Sequence, residues 1–268
     1  MSAPTPTPYN EGFFEHISDG SRRSAQATVP LVLALISCGS VVDVGCGTGA
    51  WLRVFKEHGV KSVLGLDGDY VNRSQLQISP EEFRSADLTS PPVLDRQFDL
   101  AISLEVAEHL PLEAGARFVE YLTSLAPLVM FSAAIPGQGG THHLNEQWPE
   151  YWAELFQKRG FATLDCLRDK LWHNENVERW YAQNLLLFVR QDYLAARPEL
   201  QALAARTELG RLALVHPRTL AAARRELLEL EYKARPENTS VSNALRALPA
   251  VFRSALKRRA HRNAKPSK

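Results

Sequence analysis

The sequence predicts an α/β fold, a mostly parallel sheet covered by helices and followed by an α-helical C-terminal extension. Three observations carry that reading. Short β-branched runs alternate with helical apolar spacing, the first such run ends in a glycine cluster, and the second ends in acids. Strands that alternate with helices form parallel sheets, whose ligands sit beyond the carboxyl ends of the strands. Those ends are therefore where chemistry is sought.

The elements follow in order. Pro4, Pro6 and Pro8 predict an extended lead without chemistry. Residues 11–37 read as helical, ending near Cys38-Gly39, with Pro30 predicting a kink or a fresh start. SVVDVGCGTGA, leading into WLRVFKEHGV, reads as strand, turn and helix. KSVLGLDGD, FDLAISLEV, APLVMFSAAIPG and NLLLFVR read as further strands. From Leu194 the composition shifts to Ala, Leu, Arg and Glu at helical spacing, and a basic tail follows. The expected division is 1–37 as N-terminal lid, 38–192 as the main domain and 193–268 as the helical extension.

Composition narrows the class. With 268 residues, 45% hydrophobic and 23% charged, the chain has enough apolar content for a large domain plus an appendage. No apolar run approaches the roughly 18 to 20 residues of a membrane span, and MSAPTPTPYN lacks the basic and apolar regions of a signal peptide. Cys38, Cys46 and Cys166 are too few and too scattered for a disulfide framework, which fits a cytoplasmic location. The net charge of +1 is an average. Arg246 to Lys268 hold eight bases and no acid, leaving 23 bases against 30 acids in residues 1–245, a net of −7.

Asp43-Val44-Gly45-Cys46-Gly47-Thr48-Gly49 is the most informative segment. Glycines let the backbone turn tightly and approach a ligand, and the next helix begins at once. Gly45, Gly47 and Ala50 also satisfy the GxGxxG/A pattern of nicotinamide enzymes. Asp43 argues against that, since a carboxylate two residues before the loop repels a pyrophosphate and attracts a cation.

With these residues the chain, over roughly 41–189, resembles the class I S-adenosylmethionine-dependent methyltransferases, whose first motif is D/E-x-G-x-G-x-G. The resemblance implies a Rossmann-like, mostly parallel seven-stranded sheet. It also implies a donor site formed by Asp43, Gly45, Cys46, Gly47, Gly49, Asp67, Gly68, Asp87, Leu88, Ser103 and Glu105. In it Asp67 meets the ribose hydroxyls and Asp87 the adenine amino group, while Phe98-Asp99-Leu100 opens the fourth strand. Asp69 reads as a solvated loop residue or helix cap.

The fourth strand runs into Glu105-Val106-Ala107-Glu108-His109. If a turn begins at Glu105, Glu105 and Glu108 share a face with His109 beside them, a carboxylate and imidazole set suited to Mg2+ or Mn2+. The ExxEH pattern resembles that of small-RNA 2′-O-methyltransferases and ubiquinone-pathway O-methyltransferases, which hold a divalent ion with two Glu and two His. By that resemblance the metal ligands are Glu105, Glu108, His109 and His142, with His143 in reserve. Related sequences with the same motif work without metal, where Glu105 contacts the donor and the His orients a loop or acts as base. Under either reading His109 and His142 are candidate general bases, with Glu105 as the third catalytic candidate.

Trp148, Trp152, Trp172 and Trp180 are expected to form an acceptor wall or core, with Asn145, Gln147, His173, Tyr181 and Asn184 as polar contacts. The region resembles methyltransferase domains of bacterial glycan and secondary-metabolite pathways. Tyr9, His16, Arg22 and Arg23 are lid candidates, with the arginine pair a candidate phosphate reader or, more simply, part of a solvated helix face. The basic tail reads as solvated, with nucleic acid or an anionic membrane surface as candidate partner. The leading function is an O-methyltransferase for a glycan, glycolipid or natural-product hydroxyl. The alternatives are an RNA 2′-O-methyltransferase, which the acidic body disfavours, and a non-catalytic scaffold that keeps the cofactor fold.

Overall fold

A computed structural model of the chain describes residues 11–235, 238 and 240–263, without the side chains of 11–18, 255 and 257–263. The Pro-rich lead and Tyr9 lie outside the described residues, as does the side chain of His16. Two compact units divide at Thr219.

In the first unit the elements run α1 (Glu11–Leu33), β1 (Ser40–Val44), α2 (Ala50–Glu57), β2 (Ser62–Asp67), β3 (Phe83–Ser85), β4 (Leu100–Leu104), α3 (Gly115–Leu125) and β5 (Leu128–Ser132). They continue as α4 (Pro149–Lys158), β6 (Phe161–Leu164), α5 (Arg168–Leu171), α6 (Arg179–Asn184), β7 (Leu186–Arg190), α7 (Gln191–Ala195) and α8 (Pro198–Arg206). Among the described residues the strands form one seven-stranded sheet, order β3-β2-β1-β4-β5-β7-β6. β1 to β5 pair in parallel, and β7 runs antiparallel between β5 and β6. The mostly parallel α/β architecture is the expected one.

Both faces of the central strands are covered, so β4 and β5 are buried at every position and read as unbroken apolar runs. The period of two splits their side chains between two cores. Val41, Ile102 and Met130 join Trp51, Leu52 and Phe55 of α2 on one face. Val42, Val44, Ala101, Val129 and Phe131 join Phe118 and Leu122 of α3 and Phe156 of α4 on the other.

α1 runs through Pro30 rather than restarting there. The ring removes one N–H, yet the Pro30 carbonyl still accepts from Ala34 at 3.0 Å, so the ladder resumes one turn later. The Asp99 carboxylate, at the start of β4, accepts from the N–H groups of Gly39 and Ser40 at 2.9 Å each, pinning the strand to β1 at the edge away from the glycine loop.

The second unit holds most of α9 (Pro217–Ala234) and all of α10 (Val241–Asn263). Among the described residues no helix is long and apolar enough to cross a membrane.

Candidate active site

The carboxyl ends of β1, β2, β4 and β5 converge on the segments singled out by sequence. Gly45, Gly47 and Gly49 all have positive φ, at 93°, 53° and 83°. A Cβ on Gly45 would lie 2.3 Å from Val106 Cγ2, so this position requires glycine on both counts. Four of the loop's N–H groups are engaged within the protein. Those of Gly45 and Cys46 donate to the Leu66 carbonyl at 2.8 and 3.2 Å, that of Gly49 to the Cys46 carbonyl at 2.9 Å, and that of Gly47 to Asp67 Oδ2 at 2.6 Å.

Asp43 and Asp67 stand at neighbouring strand ends, both buried. Burial raises both carboxyls above their usual range, Asp43 well above it with the Asp67 charge adding to the shift. Asp67 Oδ1 accepts from Gly68 N at 2.7 Å and the Tyr70 hydroxyl at 2.5 Å, which offsets part of its rise. Two buried acids whose charges oppose one another gain from a cation beside them. Cys46 is buried, and its thiol is pushed well up by burial and by both acids.

Other expected donor residues are placed less centrally. Asp87 is exposed, and one of its oxygens caps the turn by accepting from Thr89 N and Oγ1 at 2.8 and 2.7 Å, which lowers its pKa. Leu88 packs against the second core. Ser103 is fully buried and donates to the Val44 carbonyl at 2.8 Å, so its hydroxyl joins β4 to β1.

Glu105, directly after β4, has φ 56°. A left-handed non-glycine residue is strained, and such strain collects at functional sites. Its backbone N–H donates to the Ser132 carbonyl at 2.9 Å. Its carboxylate is clamped by amides, with Gln138 Nε2 donating to Oε2 at 2.7 Å and Asn184 Nδ2 to Oε1 at 3.1 Å. Burial raises its pKa, and the bonds from Asn184, Ser132 and Gln138 hold that rise back. Gln183 extends the network, donating to Gln138 Oε1 and accepting from His216 N. Gln138 and Gln183 were missed in the sequence. The signal was a polar pair, Gln183-Asn184, directly before an apolar strand.

Glu108, His109 and His143 bring ligand atoms within 4.8 Å of one another. Glu108 is 1% exposed, and its Oε2, like His109 Nδ1, is buried without a protein partner. Burial and the nearby Glu105 push Glu108 well above its ordinary range, while burial and His143 lower His109. His143 Nδ1 bonds to Glu146 Oε1 at 2.8 Å, leaving Nε2 as its free ring nitrogen, and Glu146 Oε2 accepts from Gly137 N. A carboxylate behind a histidine is the usual support for a metal ligand.

This set differs from the expected one at two positions. His142 has φ 57° and is exposed, and that turn delivers the next residue, His143, to the cluster instead. Glu105 stands outside it because its carboxylate is bound by amides. Orphaned buried atoms on Glu108 and His109 fit a divalent cation.

The tryptophans occupy separate surroundings rather than one wall. Trp152 is 2% exposed and packs on Phe131 and Tyr151 in the core. Trp172 packs on His216, Trp180 on Tyr181, and Trp148 is exposed. Tyr181 is buried, bonding to Ser21 Oγ at 3.0 Å and meeting Trp51 edge-on. Asn145 is buried, its Oδ1 accepting from Gln147, while His173 is exposed. Arg22 pairs with Glu57 and Arg23 with Glu178 and Asp19, as on a partly solvated helix face, so acids engage both candidate phosphate readers.

Residues 16–129 match a family described as a methyltransferase domain. Among curated proteins, a malonyl-[acyl-carrier protein] O-methyltransferase of Pseudescherichia vulneris is 26% identical over 149 residues, covering 54% of this chain and 55% of that protein. The chain thus spans about half the length of the curated relative it matches. Among solved structures, the sugar N-methyltransferase KedS8 from Streptoalloteichus aligns with TM-score 0.53 and 16% identity over 71% of this chain and 99% of that one. A structure described as a putative O-methyltransferase from Nostoc punctiforme aligns with TM-score 0.50 and 12% identity over 66% and 59%. These likenesses establish the fold.

Proposed function

We propose that this chain, whose residues 16–129 match a methyltransferase-domain family, is a class I S-adenosylmethionine-dependent O-methyltransferase acting on a hydroxyl of a glycan, glycolipid or natural-product acceptor. The observation that carries the donor is the pairing of an internally satisfied glycine loop with two buried acids, Asp43 and Asp67. A pyrophosphate needs free N–H groups and repels carboxylates. S-adenosylmethionine brings an ammonium and a sulfonium, and either relieves the crowded acids. Asp43 receives the ammonium, Asp67 the ribose hydroxyls, and the uncapped oxygen of Asp87 the adenine amino group. The glycines allow close approach, and Glu105, held rigid by Gln138 and Asn184, would contact the donor.

Transfer is an in-line displacement. A bound donor would supply an electrophilic methyl carbon, whose bond to sulfur would break as the acceptor oxygen bonds to it and the thioether leaves, with the hydroxyl proton passing to a base. Positioning supplies much of the acceleration. His109 is that base, because its Nδ1 has no protein partner and its lowered pKa keeps it neutral at physiological pH. The same cluster fits a divalent ion, which Glu108, His109 and His143 would hold and which would lower the pKa of an acceptor hydroxyl. The loop carrying His143, Glu146 and Trp148 forms the acceptor side.

Calorimetric titration with S-adenosylhomocysteine tests the donor assignment, and an absence of binding would overturn it. Transfer from labelled donor to a panel of sugars, lipid-linked sugars and phenols, read by mass, tests the acceptor class. Activity that persists in excess chelator leaves proton removal to His109, whereas loss restored by Mn2+ assigns a role to the ion.

A further inference from the structure

None of the roles proposed above falls on the second unit, and α10 has a composition of its own. Val241, Leu245, Leu248, Phe252 and Leu256 are separated by four, three, four and four residues, which places them along one face of the helix. All five are exposed, Val241 at 76% and Phe252 at 64%, as is the flanking Val251. Arg246 and Arg253, seven apart, lie together roughly a third of a turn away from that stripe, at about 100° per residue. The sequence then continues with Lys257, Arg258, Arg259 and Arg262, and no acid occurs from Arg246 to the last residue. The Ser240 hydroxyl accepts from Asn243 N at 3.2 Å and caps the start of the helix.

We infer that α10 is an interfacial helix that docks on an anionic phospholipid bilayer, its apolar stripe entering the acyl boundary and its bases meeting the headgroups. Charge complementarity selects this occupant. An anionic surface attracts a cluster of bases, and an apolar stripe adds the buried area that such binding needs. A nucleic acid offers phosphates but nothing to cover Leu248 and Phe252. A second copy of α10 offers a matching stripe, but no acid for Arg246 and Arg253, and the stripe's own continuation falls on Arg259. The inference is independent of the methyltransferase reading.

The test uses the full chain in co-sedimentation with vesicles of phosphatidylcholine alone and of phosphatidylcholine with phosphatidylglycerol. The expected result is pelleting with the anionic vesicles only, weakened by added salt. The pair Leu248→Glu and Phe252→Glu should abolish it, and Arg258→Glu with Arg259→Glu should weaken it more than tenfold, at about fivefold for each charge lost near the surface. Unchanged thermal melting by circular dichroism shows that each variant keeps its fold. Three results overturn the inference: no pelleting, pelleting indifferent to the apolar pair, or a self-association in sedimentation velocity that the apolar pair abolishes while vesicles remain unbound. RNA binding lost in the charge pair, without vesicle binding in the parent, assigns the bases to nucleic acid instead.

Discussion

Asp67 Oδ2 accepts the backbone N–H of Gly47 at 2.6 Å, closing the glycine loop onto the end of the neighbouring strand. The same carboxylate is the proposed ribose acceptor, so one residue both shapes the loop and meets the ligand. Asp67→Asn places an amide against that N–H, and a hydrogen bond to a charged group contributes about 1.5–3 kcal/mol. We expect S-adenosylhomocysteine affinity to fall at least tenfold by calorimetry. Unaltered affinity would remove Asp67 from the donor site.

Asp43 gives a pH signature. Burial and Asp67 raise its folded pKa well above the ordinary 3.8, so the free protein keeps the proton to higher pH than the unfolded chain does. The ligand ammonium requires the carboxylate. Affinity should therefore climb as pH rises from the ordinary value through the raised one, and Asp43→Asn should flatten much of the climb. The sign for stability is opposite. Without ligand, Asp43 favours the fold below its ordinary pKa, and that contribution is lost as pH rises through the raised value. A parent protein whose affinity is flat over this range would refute the ammonium contact.

Gly45→Ala should destabilise the fold. The methyl would meet Val106 Cγ2 at 2.3 Å, and φ of 93° is hostile to a side chain. Overpacking costs about 1–3 kcal/mol and a strained φ a similar amount. Adding Val106→Ala should recover the overpacking share alone. Urea denaturation of the two singles and the double measures both parts, and full recovery in the double would mean that φ costs nothing.

The cluster predicts which histidine matters for metal. His143→Ala and Glu108→Gln should each weaken Mn2+ binding at least tenfold in an electron paramagnetic resonance titration, while His142→Ala should leave it within about twofold, each tenfold corresponding to about 1.4 kcal/mol. The reverse ranking of His142 and His143 would exclude the arrangement described here.

Much of this was legible in the chain. The apolar runs that became β1, β2, β4, β5 and β7 are buried on both faces and so announce themselves without alternation. β3 has three residues and β6 four, too short for a periodic signal, and β6 was not singled out. The glycine loop was readable because positive φ restricts residue type. Whether its N–H groups face a ligand or the protein depends on Leu66 and Asp67, about 20 residues away. The choice between His142 and His143 was not readable, since adjacent residues differ only in which one the local φ turns inward. Nor was the amide clamp on Glu105, whose donors lie 33 and 79 residues along the chain. Tryptophans at 148 and 152 had one spacing and two fates, because Trp152 lies on α4 and packs on Phe131 of β5, whereas Trp148 precedes the helix and is exposed.

Arg168 sets how far the chain can be shortened. It is almost fully buried, is held by the Asp165 carboxylate, and donates through one nitrogen to the carbonyls of Gln183 at 3.0 Å and Leu212 at 2.7 Å. Leu194 and Leu200 are buried in one core and Leu212 in the other. A protein ended at residue 192 would lose all three leucines and strip a buried guanidinium of one carbonyl acceptor, and a buried donor left without a partner costs about 1–3 kcal/mol. The minimal folding piece therefore reaches past His216, whose N–H also holds Gln183. Removal of α10 is the cut that spares these contacts, which would make the inferred membrane attachment and the proposed donor binding separable on a single polypeptide.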